Sequence, residues 1–198
     1  MGDALLAQGN MTDALAEYRS ALDLADKLSD VDPANFQWRE ILEATHQRVG
    51  EVLLKQKDFA GALAEFKTYL SLAEDMQTRV PANGSALFDV ANALEKIGDV
   101  LREQGDLAGA LRCYSDSHKA ALELNSKGWG NNGWQKLLAM SYQRMGMTLE
   151  AQGDHPGALS QFRQCAAIPV KNSTWSPRML WPADVVQYCR QQVAQLGG

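Results

Sequence analysis

Four stretches of the chain repeat one order of apolar, small and polar positions. They are GDALLAQGNMTDALAEY from Gly2, GEVLLKQKDFAGALAEF from Gly50, GDVLREQGDLAGALRCY from Gly98 and GMTLEAQGDHPGALSQF from Gly146, each 48 residues after the one before. Five columns are identical in all four copies: Gly2/Gly50/Gly98/Gly146, Leu5/Leu53/Leu101/Leu149, Gln8/Gln56/Gln104/Gln152, Ala14/Ala62/Ala110/Ala158 and Leu15/Leu63/Leu111/Leu159. A sixth column is always aromatic: Tyr18, Phe66, Tyr114 and Phe162. Apolar residues recur at three- and four-residue intervals on both sides of a short polar stretch, which is the spacing of a helix face. The pattern predicts a helix, a tight turn and a second, antiparallel helix in each copy.

The columns have separate physical readings. Gly inside a helical pattern costs roughly 1 kcal/mol against Ala. Its repetition predicts that a neighbouring helix comes too close for a side chain. Ala62 and its equivalents would be the small partner, with Leu53 and Phe66 filling the space on either side. Gly9, Gly105 and Gly153 suit the left-handed residue that ends a helix, and Asn10, Asp58, Asp106 and Asp154 suit the N-cap of the next. Lys57 replaces Gly in the second copy, so that turn is expected to be strained or differently capped. The second helix continues through Leu22, Ala25 and Leu28. The next unit is expected to open at Asp32-Pro33-Ala34-Asn35, with Asp32 as N-cap and Pro33 at the first helical position. Val80-Pro81-Ala82-Asn83 repeats this junction, and the Gly-rich run from Gly128 to Gly133 predicts a longer loop.

These columns resemble the tetratricopeptide repeat over nearly the whole chain. The resemblance implies an all-α fold, a right-handed α-solenoid of antiparallel helix pairs. One feature departs from the family: its repeat is usually ~34 residues long, and this one is 48. The surplus is about two turns per helix, which keeps the faces in phase. It predicts helices of about 18–24 residues, and a likeness to a long-repeat bacterial subgroup. Trp38 and Trp134 share a column with Ala86 and suggest added packing at the end far from the turns. The expected organisation is one domain over 1–198, with repeats at 1–33 (truncated), 34–81, 82–130 and 131–168 and a capping helix at 182–196. The truncated start suggests a fragment of a longer array, or a half-helix borrowed from a neighbour. In the cap, Val186, Cys189, Arg190, Val193 and Leu196 are expected near one stripe. Gln187, Gln191, Gln192 and Gln195 would give it a polar outer face.

Composition changes the picture modestly. The 198 residues carry a net charge of −5, which argues against nucleic acid as a partner, because phosphate neutralisation needs a basic surface. No apolar run approaches membrane-spanning length, and no signal peptide is visible, so a cytoplasmic setting and no membrane are expected. Three cysteines without a CxxC motif predict reduced thiols, with Cys113 and Cys165 as small core fillers. Charge is graded: residues 1–49 hold 9 acids and 4 bases, net −5, whereas residues 146–198 are net +1. His46, His118 and His155 lie in different repeats without metal-ligand spacing. No catalytic, metal or cofactor site is predicted.

The expected role is a non-enzymatic scaffold that holds a protein or peptide. The family resemblance implies that first helices line a concave groove. That stripe begins at Asp3 and Leu6, and continues through Ala44, Gln47, Glu51 and Leu54, then Asn92, Glu95, Asp99 and Arg102, then Met140, Gln143, Met147 and Glu150. The family's carboxylate clamp of Lys and Asn is absent. Its places hold Gln47, Glu95 and Gln143, and Asp3, Glu51, Asp99 and Met147. An acidic stripe predicts a basic or amphipathic partner. Arg48–Glu51 and Lys96–Asp99 at i, i+3 could instead neutralise one another. Two alternatives remain: head-to-tail self-assembly into a homo-oligomer through the open N-terminal edge, and a ligand-sensing regulatory domain of a signalling protein.

Overall fold

The computed structural model describes residues 1–32, 35–82, 84–127, 132–169 and 183–197. The helices run in the order α1 (Gly2–Ala7), α2 (Met11–Val31), α3 (Phe36–Lys55), α4 (Phe59–Arg79), α5 (Gly84–Glu103), α6 (Leu107–Ser126), α7 (Asn132–Ala151), α8 (His155–Ala166) and α9 (Ala183–Leu196). No strand occurs among the described residues. The chain is an all-α helical-repeat protein. Helices α2 to α7 are 20 or 21 residues long, within the expected range. The chain divides into two compact units, residues 1–89 and 90–198, with the division inside α5. In the first unit α1 packs on α2, α2 on α3 and α3 on α4. In the second α6 packs on α7, α7 on α8, and α9 on both α8 and α7.

One turn design recurs within each repeat. Gly9, Gly105 and Gly153 adopt φ of 80°, 84° and 83°, a conformation that is strained for residues with a Cβ. The N–H of the following cap residue donates to the carbonyl of the invariant Leu across the turn: Asp58 to Leu53, Asp106 to Leu101 and Asp154 to Leu149, all at 2.9 Å. This is the six-to-one bond that closes a helix C-terminus. The same Asp side chain then accepts an N–H from the next helix, that of Gly61, Gly109 or Gly157. Asn10 does so for Asp13. Lys57 holds φ 63° in the second turn, so the turn keeps its geometry and carries the strain.

The Gly column is explained by the aromatic column rather than by Ala. A Cβ built on Gly2, Gly50, Gly98 or Gly146 would lie 2.5–2.7 Å from the ring of Tyr18, Phe66, Tyr114 or Phe162. Each ring therefore lies flat on the helix backbone where a side chain is missing. Ala14, Ala62, Ala110 and Ala158 are fully buried beside it.

Four expectations need correction. Helix α3 starts at Phe36 with Asn35 as its cap, the Asn35 side chain accepting from the Gln37 N–H at 3.1 Å. Asp32 instead ends α2, its N–H bound to the Leu28 carbonyl, so it cannot start the next helix. Pro33, Ala34, Asn83, the loop 128–131 and the segment 170–182 lie outside the described residues. Cys165 and Cys189 are not free thiols but a disulfide, with Cα atoms 6.0 Å apart. Both sit fully buried where α8 meets α9, within bonding reach. Cys113 is free and half-buried rather than a core filler, and burial raises its thiol pKa. In the cap helix Val186 and Cys189 are buried, with Val193 and Leu196 packed alongside. Arg190 is exposed and outside the stripe, because the residue after a buried Cys189 faces away.

Candidate functional site

On α3, Gln47, Glu51 and Leu54 are half-buried and Ala44 is exposed. Glu51 accepts from Gln47 Nε2 at 3.1 Å and from Arg48 Nη1 at 3.2 Å. Asp3 is exposed and accepts from the Tyr18 hydroxyl at 2.5 Å. In the second unit Asn92, Asp99 and Arg102 on α5 are half-buried, as are Met140, Gln143, Met147 and Glu150 on α7. Glu95 differs: its side chain is only 1% exposed. Met145 is buried between Ala110 and Tyr114. Met147 packs partly against the cluster of Phe162, Cys165 and Cys189.

Glu95 and Asp99 are brought together by Arg144, a residue that spacing alone did not single out. The Arg144 guanidinium donates from Nε and Nη2 to both Asp99 oxygens at 2.8 and 3.0 Å, and from Nη1 to Glu95 at 2.9 Å. The Tyr114 hydroxyl adds a 2.8 Å bond to Asp99. Burial pushes the Asp99 carboxyl pKa up, but Arg144 and Tyr114 outweigh it and hold the group below its ordinary value. Burial dominates at Glu95 and raises it, against the pull of Arg144. Asp99 is thus paired with Arg144 from the next repeat. The carboxylates of Glu95 and Asp99 serve the interior of the unit first.

A signal for this network is present in the sequence. Where the aromatic column holds Tyr, the acidic column holds Asp: Asp3 with Tyr18, Asp99 with Tyr114. Where it holds Phe, the partner is Glu51 or Met147. A phenol needs an acceptor that a phenyl ring does not. Arg48 and Arg144 occupy one further column.

The first unit contains an acidic pocket of about 260 Å³ lined by Glu40, Glu43, Ala44, Gln47, Tyr69, Ser85 and Asp89. Glu43 is 4% exposed, and its Oε1 has no hydrogen-bond partner. Asp89 accepts from the Tyr69 hydroxyl at 2.9 Å. Burial lifts the Glu43 carboxyl to about 7, and the negative charges of Asp89 and Glu40 add to it. Burial lifts Asp89 to about 6, against the Tyr69 bond.

His46 and His118 have local partners. His46 Nδ1 lies 2.7 Å from Glu65. His118 Nδ1 meets the Ser141 hydroxyl at 3.0 Å, and its ring packs 4.3 Å from that of Tyr142. Among the described residues no three His, Cys, Asp or Glu side chains are grouped to hold a metal ion. No described helix is long and apolar enough to cross a membrane.

One tetratricopeptide-repeat family model matches residues 1–42 and a second matches residues 138–168, where the repeat columns lie. These two stretches are tetratricopeptide repeats by sequence. No curated protein matches the sequence. The crystal structure of MamA is similar over 99% of this chain and 90% of its own, with a TM-score of 0.52 and 14% identity. BtubC (BKLC) from P. vanneervenii is similar over 94% of this chain and 82% of its own, with a TM-score of 0.50 and 12% identity. At these identities the likeness is one of fold. Tetratricopeptide-repeat proteins are generally non-enzymatic, and this chain is a scaffold for protein–protein interaction.

Proposed function

We propose that the scaffold holds an extended or helical partner segment along its first-helix stripe, and that the segment is basic or amphipathic. The observation that carries this reading is the half-burial of the stripe. Gln47, Glu51, Leu54, Asn92, Arg102, Met140, Gln143, Met147 and Glu150 are all neither core nor fully exposed, which suits a lining surface. Leu54, Met140 and Met147 offer apolar contact, and methionines adapt to irregular partners. Glu51 and Glu150 supply negative charge. Glu95 and Asp99 enter this reading as supports of the α5–α7 pairing through Arg144, with Asp99 half-buried at the surface.

The test is site-specific photo-cross-linking. A photoreactive residue at Leu54, Arg102 or Gln143 is expected to capture one and the same partner segment. The same probe at Lys67 or Lys119, exposed on second helices, is expected to capture none. Equal capture from both sets would remove the groove reading.

A second reading, head-to-tail self-association, is favoured by one observation. Leu24, Val31, Phe36 and Ile41 are 59%, 84%, 48% and 44% exposed in the first unit. Exposed apolar side chains on and beside an acidic first repeat suit a second copy whose last repeat is net basic. Light scattering over a salt series decides it: a monomer at every salt concentration eliminates this reading.

A further inference from the structure

We infer that the pocket bordered by Glu40, Glu43, Gln47 and Asp89 receives a cationic side chain, lysine or arginine, of a partner protein. The inference rests on the scaffold reading and deepens it by assigning one subsite and its chemistry.

Three of the six polar residues that line the pocket are acids, and the Gln47 and Tyr69 donors are turned to Glu51 and Asp89. Glu40, Glu43 and Asp89 bring three carboxyl groups to one space, with Ala44 and Tyr69 forming apolar wall. The charged groups around Glu43 are Asp89, Glu40 and Asp75, all acidic, and one base, Arg39. Arg39 is already engaged, its Nη2 lying 2.6 Å from Asp75. Asp75 also takes Arg79 at 2.8 Å. Arg39 makes no hydrogen bond to Glu43, although its own Nε and Nη1 are also without partners.

Glu43 is the decisive group. Its side chain lines the pocket while remaining 96% hidden from solvent. One of its oxygens accepts nothing. A buried acceptor without a donor is unfavourable and rare in folded proteins. Glu95 also leaves its Oε1 without a donor, but its Oε2 holds Arg144, whereas Glu43 is ion-paired to no base among the described residues. The missing donor is supplied if a partner provides it. A metal ion is a poor fit, since these carboxyls are not gathered into a metal-binding group. A lysine or arginine fits better: its aliphatic stem covers the Ala44 and Tyr69 wall while its head meets the acids. Anionic and purely apolar side chains lack the donor.

Protonation supports the same occupant. Burial holds Glu43 at about 7 and Asp89 at about 6 in the empty pocket. An entering cation lowers both and expels their protons, so binding strengthens as pH rises through that window.

The experiment uses the full chain and three blocked tripeptides: acetyl-Ala-Lys-Ala-amide, acetyl-Ala-Arg-Ala-amide and acetyl-Ala-norleucine-Ala-amide. Nuclear magnetic resonance follows the amides of Ala44, Gln47 and Ser85. At pH 8 at least one cationic peptide is expected to shift them saturably, and the stronger of the two identifies the head group. At pH 5 its affinity is expected to fall by roughly a hundredfold. Glu43→Gln and Asp89→Asn are each expected to weaken binding by about tenfold or more at pH 8, while circular dichroism shows the fold retained. Equal shifts from the norleucine peptide, no saturable shift from either cation, or undiminished affinity in both variants would overturn the assignment. Cross-linking at Gln143 separates the two readings. If it persists while the cations leave the pocket unmoved, the subsite alone fails. If it is lost while a cation saturates the pocket, the scaffold reading fails and the pocket stands as a cation site.

Discussion

The two units build one cluster from the same columns and arrive at different chemistry. In the first, Asp3 accepts from Tyr18 at 2.5 Å, and Arg48 approaches Asp3 at 3.6 Å through a single nitrogen. The Asp3 and Arg48 side chains are 72% and 46% exposed. In the second, Asp99, Tyr114 and Arg144 repeat the arrangement with two bonds at 2.8 and 3.0 Å, and Glu95 is added. There the Arg144, Asp99 and Glu95 side chains are 16%, 17% and 1% exposed. The Asp, Tyr and Arg are the same in both, so depth and the added Glu95 set the value of the pairing. Exposed ion pairs contribute about 0–1 kcal/mol. Buried ones need every partner in place, and removing one leaves an uncompensated charge.

The largest expected effect follows from that contrast. Arg144→Met strands Asp99 and Glu95 together and should destabilise the protein by about 3–5 kcal/mol at neutral pH. Arg48→Met, the same change in the matching column, should cost about 1 kcal/mol or less. Urea unfolding followed by circular dichroism measures both. The Arg144 penalty should shrink in acid. Asp99 has a folded pKa below its ordinary 3.8. Its contribution is therefore complete above that value and lost as pH falls through the lower, folded one. Equal penalties for Arg48→Met and Arg144→Met would mean that depth does not distinguish the two clusters.

An opposite pH response is expected from the acidic pocket of the first unit. Glu43 and Asp89 have folded pKa values raised to about 7 and about 6. Their burial is harmless while they are protonated. It becomes unfavourable as pH rises from the ordinary carboxylate range to about 7. Glu43→Gln removes the ionisation and should stabilise the chain by about 2 kcal/mol at pH 8, with the gain disappearing near pH 4. The same thermal melts, run at both pH values, check the sign. A loss of stability at pH 8 would show that the Glu43 carboxylate is already satisfied.

How far the sequence carries depends on whether an interaction is periodic. The repeat columns predicted helix pairing, the turns and the caps, because each Asp58 or Gly105 answers a backbone need local to a few residues. The helix lengths followed from phase. Arg144 was harder to see, since its partners lie 45 and 49 residues away and pairing at i, i+3 is the nearer alternative for Asp99. The Tyr–Asp and Phe–Glu/Met correspondence was the available clue. Glu43 carries no pattern at all. It sits on a helix with buried neighbours Leu42 and Thr45, and its burial comes from how the first unit packs around α3. The Cys165–Cys189 bond was hidden for the same reason, as the two positions meet only when α9 folds onto α8.

The smallest expected effect tests whether a turn, rather than a charge cluster, also separates the units. Both described turns of the second unit use Gly105 and Gly153 at positive φ, whereas the first unit uses Gly9 and Lys57. A residue with a Cβ at φ 63° bears roughly 1 kcal/mol of strain. Glycine relieves that strain but adds freedom to the unfolded chain, which returns part of the gain. Lys57→Gly should therefore raise stability by about 0.5 kcal/mol, with no change at the neighbouring Asp58 cap, whose side chain already accepts the Gly61 N–H at 3.0 Å. Gly105→Lys, the reverse exchange in the second unit, should lower stability by a similar amount, because an added Cβ there meets nothing within 4 Å and only the backbone conformation opposes it. Paired urea titrations of the two variants resolve the difference. Changes of the same sign in both would show that the turn residue is not what distinguishes the repeats.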